Sequence, residues 1–168
     1  FMTLNNFQFN TTPGLRFGSG EAKNSCKEIF NKLGSRILFI TDKGLMSLGL
    51  TKPTIQELKT MGEVEVFDGV EADPSKKTLL TAIEIGKKFK ATGVIGFGGG
   101  SSMDVAKLTA LILGSNEDLE KAWGVANAKG PRLPLVLIPT TAGTGSEVTP
   151  VSIITVGEEE KKGVSSAI

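Results

Sequence analysis

Two residue types are missing altogether: the 168-residue chain contains no histidine and no tyrosine. Without histidine it lacks the side chain that most often serves as a general base near neutral pH and as a ligand of catalytic zinc or iron. A single cysteine, Cys26, excludes an internal disulfide and points to a reducing, cytoplasmic setting. Long apolar runs are also wanting. The longest covers residues 133–138 and is interrupted by Pro134, whereas a membrane span needs about 20 apolar residues. The opening residues, FMTLNNFQF, have neither a basic stretch nor an apolar core, so no secretion signal is expected. An excess of either charge is lacking too, with Lys+Arg 19 against Asp+Glu 18 and a net charge of +1. Nothing in that balance would draw the chain to nucleic acid or to an anionic membrane. Hydrophobic residues at 39% and charged residues at 22% match a folded globular chain and argue against disorder. The length suits one well-cored domain, residues 1–168.

Along the chain, strand-like and helix-like segments alternate, which predicts an α/β fold with a Rossmann-like, largely parallel sheet and helices on both faces. Residues 36–41 form a short apolar run of strand formers ending at Asp42. A helical stretch with Leu45, Leu48 and Leu50 follows, and Pro53 suits the first turn of another with Ile55, Leu58 and Met61 at helical spacing. Residues 63–67 (EVEVF) alternate as a strand does. From residue 75 to 90, Leu79, Leu80, Ile83 and Phe89 make one helical face, and Lys87, Lys88 and Lys90 suit the negative end of the helix dipole. Residues 94–97 and 135–138 are short enough and apolar enough to be fully buried strands. Between them lie a helix over about 101–113, apolar nearly all round, and a polar stretch over 114–133 with one helical turn. Residues 151–168 read as a C-terminal β-hairpin, and the first residues as an additional N-terminal strand.

Glycine is abundant, at 21 residues, and clusters in two places. In the first, GFGGGSSMDVAK, a strand runs directly into a helix. A helix start leaves free backbone N–H groups and a partial positive charge, which together bind an anion. Gly98, Gly99 and Gly100 let the backbone approach such an anion without Cβ interference. Ser101 has the side chain of a helix cap, and Asp104 stands at capping-box spacing from it. The pattern only approximates a dinucleotide fingerprint, because Ser101 stands where the third glycine would be. Two readings therefore stand side by side here: a phosphate cradle, or a tight strand-to-helix turn with Asp104 as a first-turn carboxylate.

The second cluster is Pro139-Thr140-Thr141-Ala142-Gly143-Thr144-Gly145-Ser146-Glu147-Val148-Thr149, after the other apolar strand. Its four threonines place many hydroxyl donors and acceptors on flexible backbone. In open α/β sheets, ligands sit beyond the carboxyl ends of the strands, where both loops begin. Thr144 and Glu147 also have capping-box spacing, so part of the loop can equally start a short turn, which Pro150 limits.

Together these two loops resemble the iron-dependent alcohol dehydrogenase family (lactaldehyde reductases, propanediol and butanol dehydrogenases and relatives). Smaller matches are Phe17-Gly18-Ser19-Gly20, Thr41-Asp42-Lys43-Gly44 and Asp73-Pro74, so the likeness extends over essentially the whole chain. The family has an N-terminal α/β nucleotide-binding domain and an all-helical C-terminal domain that carries the metal. This chain is similar to the first, and the helical domain is expected to be absent from it. The resemblance implies that Gly98, Gly99, Gly100, Ser101 and Asp104 belong to the pyrophosphate loop. Gly100 and Ser101 would make the contact itself. It implies likewise that Thr140, Thr141, Thr144, Thr149 and Val151 line the adenine and nicotinamide-ribose side.

Lys161 matches best a family lysine near the cofactor ribose, with Lys162 one residue away and a plain hairpin surface charge as the alternative. Asp42 matches the position whose carboxylate can accept both ribose hydroxyls and repel a 2′-phosphate, which implies NAD rather than NADP. A surface-loop aspartate would look the same. Asp73 stands where relatives often have Asn, which leaves a cofactor contact there open. Family members bind iron, sometimes zinc, through one Asp and three His of the helical domain. A chain without histidine is therefore expected to hold no metal itself, and to bind NAD without oxidising an alcohol alone. The substrate implied is a small alcohol or aldehyde, and the family often dimerises through the N-terminal strand, here with Phe7 and Phe9. Two rivals remain: a relative of glycerol dehydrogenase and dehydroquinate synthase, against which the intact threonine loop tells, and a free-standing nucleotide-binding module.

Overall fold

The computed structural model describes residues 12–157, 160–166 and 168. The expected N-terminal strand with Phe7 and Phe9, and two residues at the hairpin tip, lie outside them. The chain begins with α1 (Glu21–Asn24) and α2 (Cys26–Leu33), then β1 (Arg36–Ile40), α3 (Lys43–Ser47), α4 (Lys52–Lys59) and β2 (Glu63–Phe67). Next come α5 (Lys76–Phe89), β3 (Gly93–Gly98) and α6 (Gly100–Ser115). The remainder is α7 (Leu119–Ala122), β4 (Gly124–Val125), β5 (Leu135–Pro139), β6 (Val151–Val156) and β7 (Glu160–Ser165).

Four strands make one parallel sheet in the order β2-β1-β3-β5. Alternation along β1 divides the core. Ile37 and Phe39 face α2 and α4, where they pack with Cys26, Leu33, Ile55 and Leu58. Leu38 and Ile40 face the other way, toward Leu79 and Ile83 of α5 and Val105 and Leu108 of α6. Helices thus cover both faces, as the alternating pattern requires. On the α2 side Phe39 stacks on Phe97 with ring centroids 5.5 Å apart. The hairpin β6–β7 is antiparallel, carries β4 beside β7, and packs Ile154 and Val164 into the α5–α6 side of the core.

Several local expectations change. The helix expected after Asp42 stops at Ser47, and Gly49 turns the chain at φ 71, so Leu48 and Leu50 stay exposed. On α5 the inward face is Leu79, Ala82, Ile83 and Gly86, which leaves Leu80 outside. The polar stretch 114–133 holds the strand β4 as well as the helical turn α7. Strand β5, expected to be fully buried, is half-buried from Leu135 to Ile138, because it is the last strand on its side of the sheet among the described residues.

The contact that positions the site is between α6 and β3. Helix α6 is buried nearly all round, with Met103, Val105, Ala106 and Ala110 fully enclosed. It can lie so close because Gly96 has no side chain: a Cβ there would stand 2.7 Å from Ala106 Cβ and 3.3 Å from Met103 Cα. Both neighbours are held in the helix and cannot swing aside. Gly96→Ala should therefore cost about 1–3 kcal/mol of stability, the range for overpacking a well-packed core. The midpoint of urea unfolding would show it, and an unchanged midpoint would mean that α6 shifts without cost.

Candidate functional site

Register brings three strand ends together. Ile40 of β1 pairs with Gly96 of β3, and Gly98 of β3 pairs with Pro139 of β5. The residues that follow, Asp42, the glycine loop and the threonine loop, therefore leave the same edge of the sheet side by side. Order β2-β1-β3-β5 also means that the chain crosses over between β1 and β3, which opens the crevice where α/β sheets bind ligands. The two loops touch directly. Thr140 N–H donates to Gly98 C=O over 3.0 Å. A Cβ on Gly99 would lie 3.4 Å from Thr141 Oγ1, and one on Gly100 3.6 Å from Thr144 Cβ. Gly98 adopts φ 153, and a Cβ there would stand 2.7 Å from Ser102 Oγ.

The start of α6 differs from the capping-box expectation. Gly99 is the N-cap residue, the helix begins at Gly100, and no side chain caps it. Ser101 sits inside the first turn, so its hydroxyl is past the capping position and the first-turn amides remain uncovered. Asp104 points elsewhere altogether. Its Oδ1 accepts from Ser146 Oγ at 2.6 Å and its Oδ2 from Ile153 N–H at 3.1 Å. Both oxygens are thus taken by the threonine loop and the hairpin, which leaves Asp104 a tie between elements. The other capping-box spacing survives in modified form, as Thr144 Oγ1 donates to Glu147 Oε2 over 3.2 Å without a helix following.

Lys107, one turn after Asp104, is a site residue that the sequence pattern did not single out. Its ammonium donates to the carbonyls of Ser146 (2.7 Å), Val151 (2.6 Å) and Thr149 (3.4 Å) and stands 3.3 Å from Asp104 Oδ1. Burial pushes its pKa down, and the Asp104 carboxylate opposes that shift. The spacing of Asp104 and Lys107 on one helix face hints at a pair, but its carbonyl partners lie 39 to 44 residues away in sequence. Only the folded chain reveals them.

Asp42 is the N-cap of α3, with Oδ1 accepting from Leu45 N–H at 2.9 Å. Its second oxygen has no hydrogen-bond partner among the described residues. Leu45 Cδ1 in turn reaches within 3.3 Å of where a Gly98 Cβ would be, so the Asp42 turn packs against the glycine loop. Lys161, on the hairpin, pairs with Asp73 at 2.6 Å, and both are exposed. The pair joins the hairpin to the loop after β2, where Thr155 N–H also donates to Pro74 C=O over 2.9 Å. An exposed pair of this kind contributes little to stability.

A groove of about 1210 Å³ runs along the half-buried side of β5. Thr140, Thr141 and Thr149 line its end, with Val136, Leu111 and Arg132 further along, while the glycine loop stands outside it. Cys26 offers no nucleophile: it is 1% exposed and its thiol is pushed up to about 11, chiefly by burial. No group of three or more His, Cys, Asp or Glu able to hold a metal occurs among the described residues. None of the described helices is long and apolar enough to cross a membrane.

The family model for iron-containing alcohol dehydrogenase matches residues 13–167. A sulfoacetaldehyde reductase of Bilophila wadsworthia is 35% identical over 163 residues, which is 95% of this chain and 42% of that protein. Among solved structures, a 1,3-propanediol oxidoreductase superposes with a TM-score of 0.90 at 28% identity, covering 97% of this chain and 43% of that one. A sulfoacetaldehyde reductase from Bifidobacterium kashiwanohense, in complex with NAD+, superposes at 0.82 with 30% identity, over 96% of this chain and 43% of that one. The chain therefore spans about two-fifths of the length of these relatives.

Two consequences of the site geometry can be checked directly. Asp42→Ala removes the cap of α3 and should cost about 1 kcal/mol of stability, whereas Asp42→Asn keeps a capping oxygen and should cost little; thermal unfolding of the two variants separates them. The Cys26 thiol should resist alkylation by iodoacetamide at pH 8 in the folded chain and react within minutes in denaturant.

Proposed function

The chain belongs to the iron-containing alcohol dehydrogenase family, and we propose that residues 1–168 are one cofactor-binding domain, which holds NAD for hydride exchange with a small alcohol or aldehyde. The observation that carries this reading is the uncapped start of α6 lying against the threonine loop, at the sheet edge where the strand order reverses between β1 and β3. A dinucleotide fits that arrangement. Glycines 98–100 leave room for a pyrophosphate against the backbone, and the first-turn amides at Gly100 and Ser101 donate to it in the field of a 16-residue helix. Thr140, Thr141, Thr144 and Thr149, with the Val151 backbone, line the adenine and nicotinamide-ribose side. Lys161, already beside Asp73, stands in reach of a ribose hydroxyl on the hairpin side. The bound nicotinamide supplies the chemistry, as acceptor or donor of the hydride.

Asp42 selects the cofactor. Its Oδ1 caps α3 and fixes the carboxylate, so its Oδ2 is free to accept from a ribose hydroxyl. The same charge repels a 2′-phosphate, which favours NAD over NADP. The complex of a relative with NAD+ supports the choice. The iron in the family's name finds no fit here: the chain has no histidine, and its described carboxylates and single cysteine nowhere gather into a ligand set. No step of the chemistry is therefore routed through a metal on these residues. Asp104, which the motif places in the pyrophosphate loop, instead ties the threonine loop and the hairpin to α6 through Ser146 and Ile153 and makes no contact with the cofactor in this reading.

Calorimetric titration of the chain with NAD and NADP side by side tests this. Micromolar binding of NAD and much weaker binding of NADP are expected. Asp42→Asn keeps the helix cap but removes the charge, so it should lower the affinity for NAD about tenfold and bring NADP level with it. Absence of binding for both cofactors by the unaltered chain would overturn the proposal.

A further inference from the structure

The threonine loop has little to hold its shape. It lies between β5 and β6 without regular structure, its residues 140–144 are exposed, and Gly143 and Gly145 take φ 91 and 67. Yet in the middle of it Ser146 is 6% exposed, and the ties that bury it all come from one face of α6. Asp104 binds the Ser146 hydroxyl and the Ile153 amide. Lys107 gathers three carbonyls, of Ser146, Thr149 and Val151, around one ammonium. Its side chain is 13% exposed and that of Asp104 17%, so water competes weakly for these bonds. An ammonium has three protons, and three carbonyls with a carboxylate at its side leave none of them unpaired. The loop is thus bonded to the same rigid helix whose amino end faces it.

We propose that Lys107 is a positioning residue for the cofactor: with Asp104 it locks residues 146–153 to α6, so that the threonine hydroxyls and the first-turn amides of α6 are presented at one fixed separation. This rests on the reading that the two loops hold a dinucleotide between them. A ligand that spans both loops needs that separation; one that touches only the start of α6 does not. Ordering a mobile loop at the moment of binding would weaken affinity, and the ammonium removes that cost in advance.

The test uses Lys107→Met, which keeps the aliphatic stem and deletes the charge. Three readouts are taken on the chain: amide hydrogen exchange, affinity for NAD, and the amide chemical shifts of residues 99–101 on addition of inorganic pyrophosphate. The expected result is faster exchange confined to residues 140–153, an NAD affinity lowered at least about tenfold, and an undiminished pyrophosphate response. Unchanged loop exchange with unchanged NAD affinity would overturn the proposal. So would a parallel loss of NAD and pyrophosphate binding with faster exchange throughout the sheet, since that is a stability effect alone. Should Lys107→Met not fold, Asp104→Asn weakens the same tie more gently, and the same loop-confined exchange is required of it; its absence would refute the idea. If the unaltered chain binds no NAD, the cofactor reading falls, while the exchange measurement still decides whether Lys107 holds the loop.

Discussion

Helix α6 lies against strand β3 at a distance that a single methyl group at residue 96 would prevent. Gly96 faces the helix where Ala106 and Met103 pack, and neither neighbour could move without moving α6. Much else depends on that approach. It buries α6 on nearly every side, which explains why the helix needs no polar face, and it sets the helix start level with the end of β3. Glycines 98 and 99 then turn the chain from strand to helix in the space of one residue pair. The amino end of α6 consequently opens at the carboxyl edge of the sheet, beside the ends of β1 and β5.

The same helix organises the opposite wall. Asp104 and Lys107 project from it to the threonine loop and the hairpin, and that loop has no regular structure. Placing two charges where they are less than a fifth exposed costs solvation, and that cost is offset only because each finds several partners. Glycine loop and threonine loop are therefore tied to one rigid body from two directions. One meets the helix through its own backbone, the other through side chains one and two turns further on. Such an arrangement suits a ligand longer than either loop.

How much of this could be read beforehand differs from element to element. Residues 36–41, 94–97 and 135–138 announce three strands of the parallel sheet as short apolar runs, because strands covered by helices are built so, and 63–67 announces the fourth by alternation. The glycine and threonine loops were legible from composition as loops at the ends of strands, and the family from their order. The helix over about 101–113 was legible, but its cap was not, since serine before an apolar run ordinarily marks a cap and here Gly99 takes that place. Asp104 had the spacing of a capping carboxylate, and Leu48 and Leu80 the spacing of core residues. Periodicity says that one face is apolar but not how wide a strip of it the neighbours cover.

By itself the sequence determined the class of fold, the alternation of its elements, the two loops at strand ends and the lack of histidine ligands. Each of these depends on residue type and on neighbours a few positions away. Only the tertiary structure decided that β5 borders a groove and is half-buried, and that Lys107 reaches Ser146, Thr149 and Val151. Those depend on contacts between segments about 40 residues apart in the chain, set by strand order and by how closely a helix can approach a sheet, and local pattern holds no record of either.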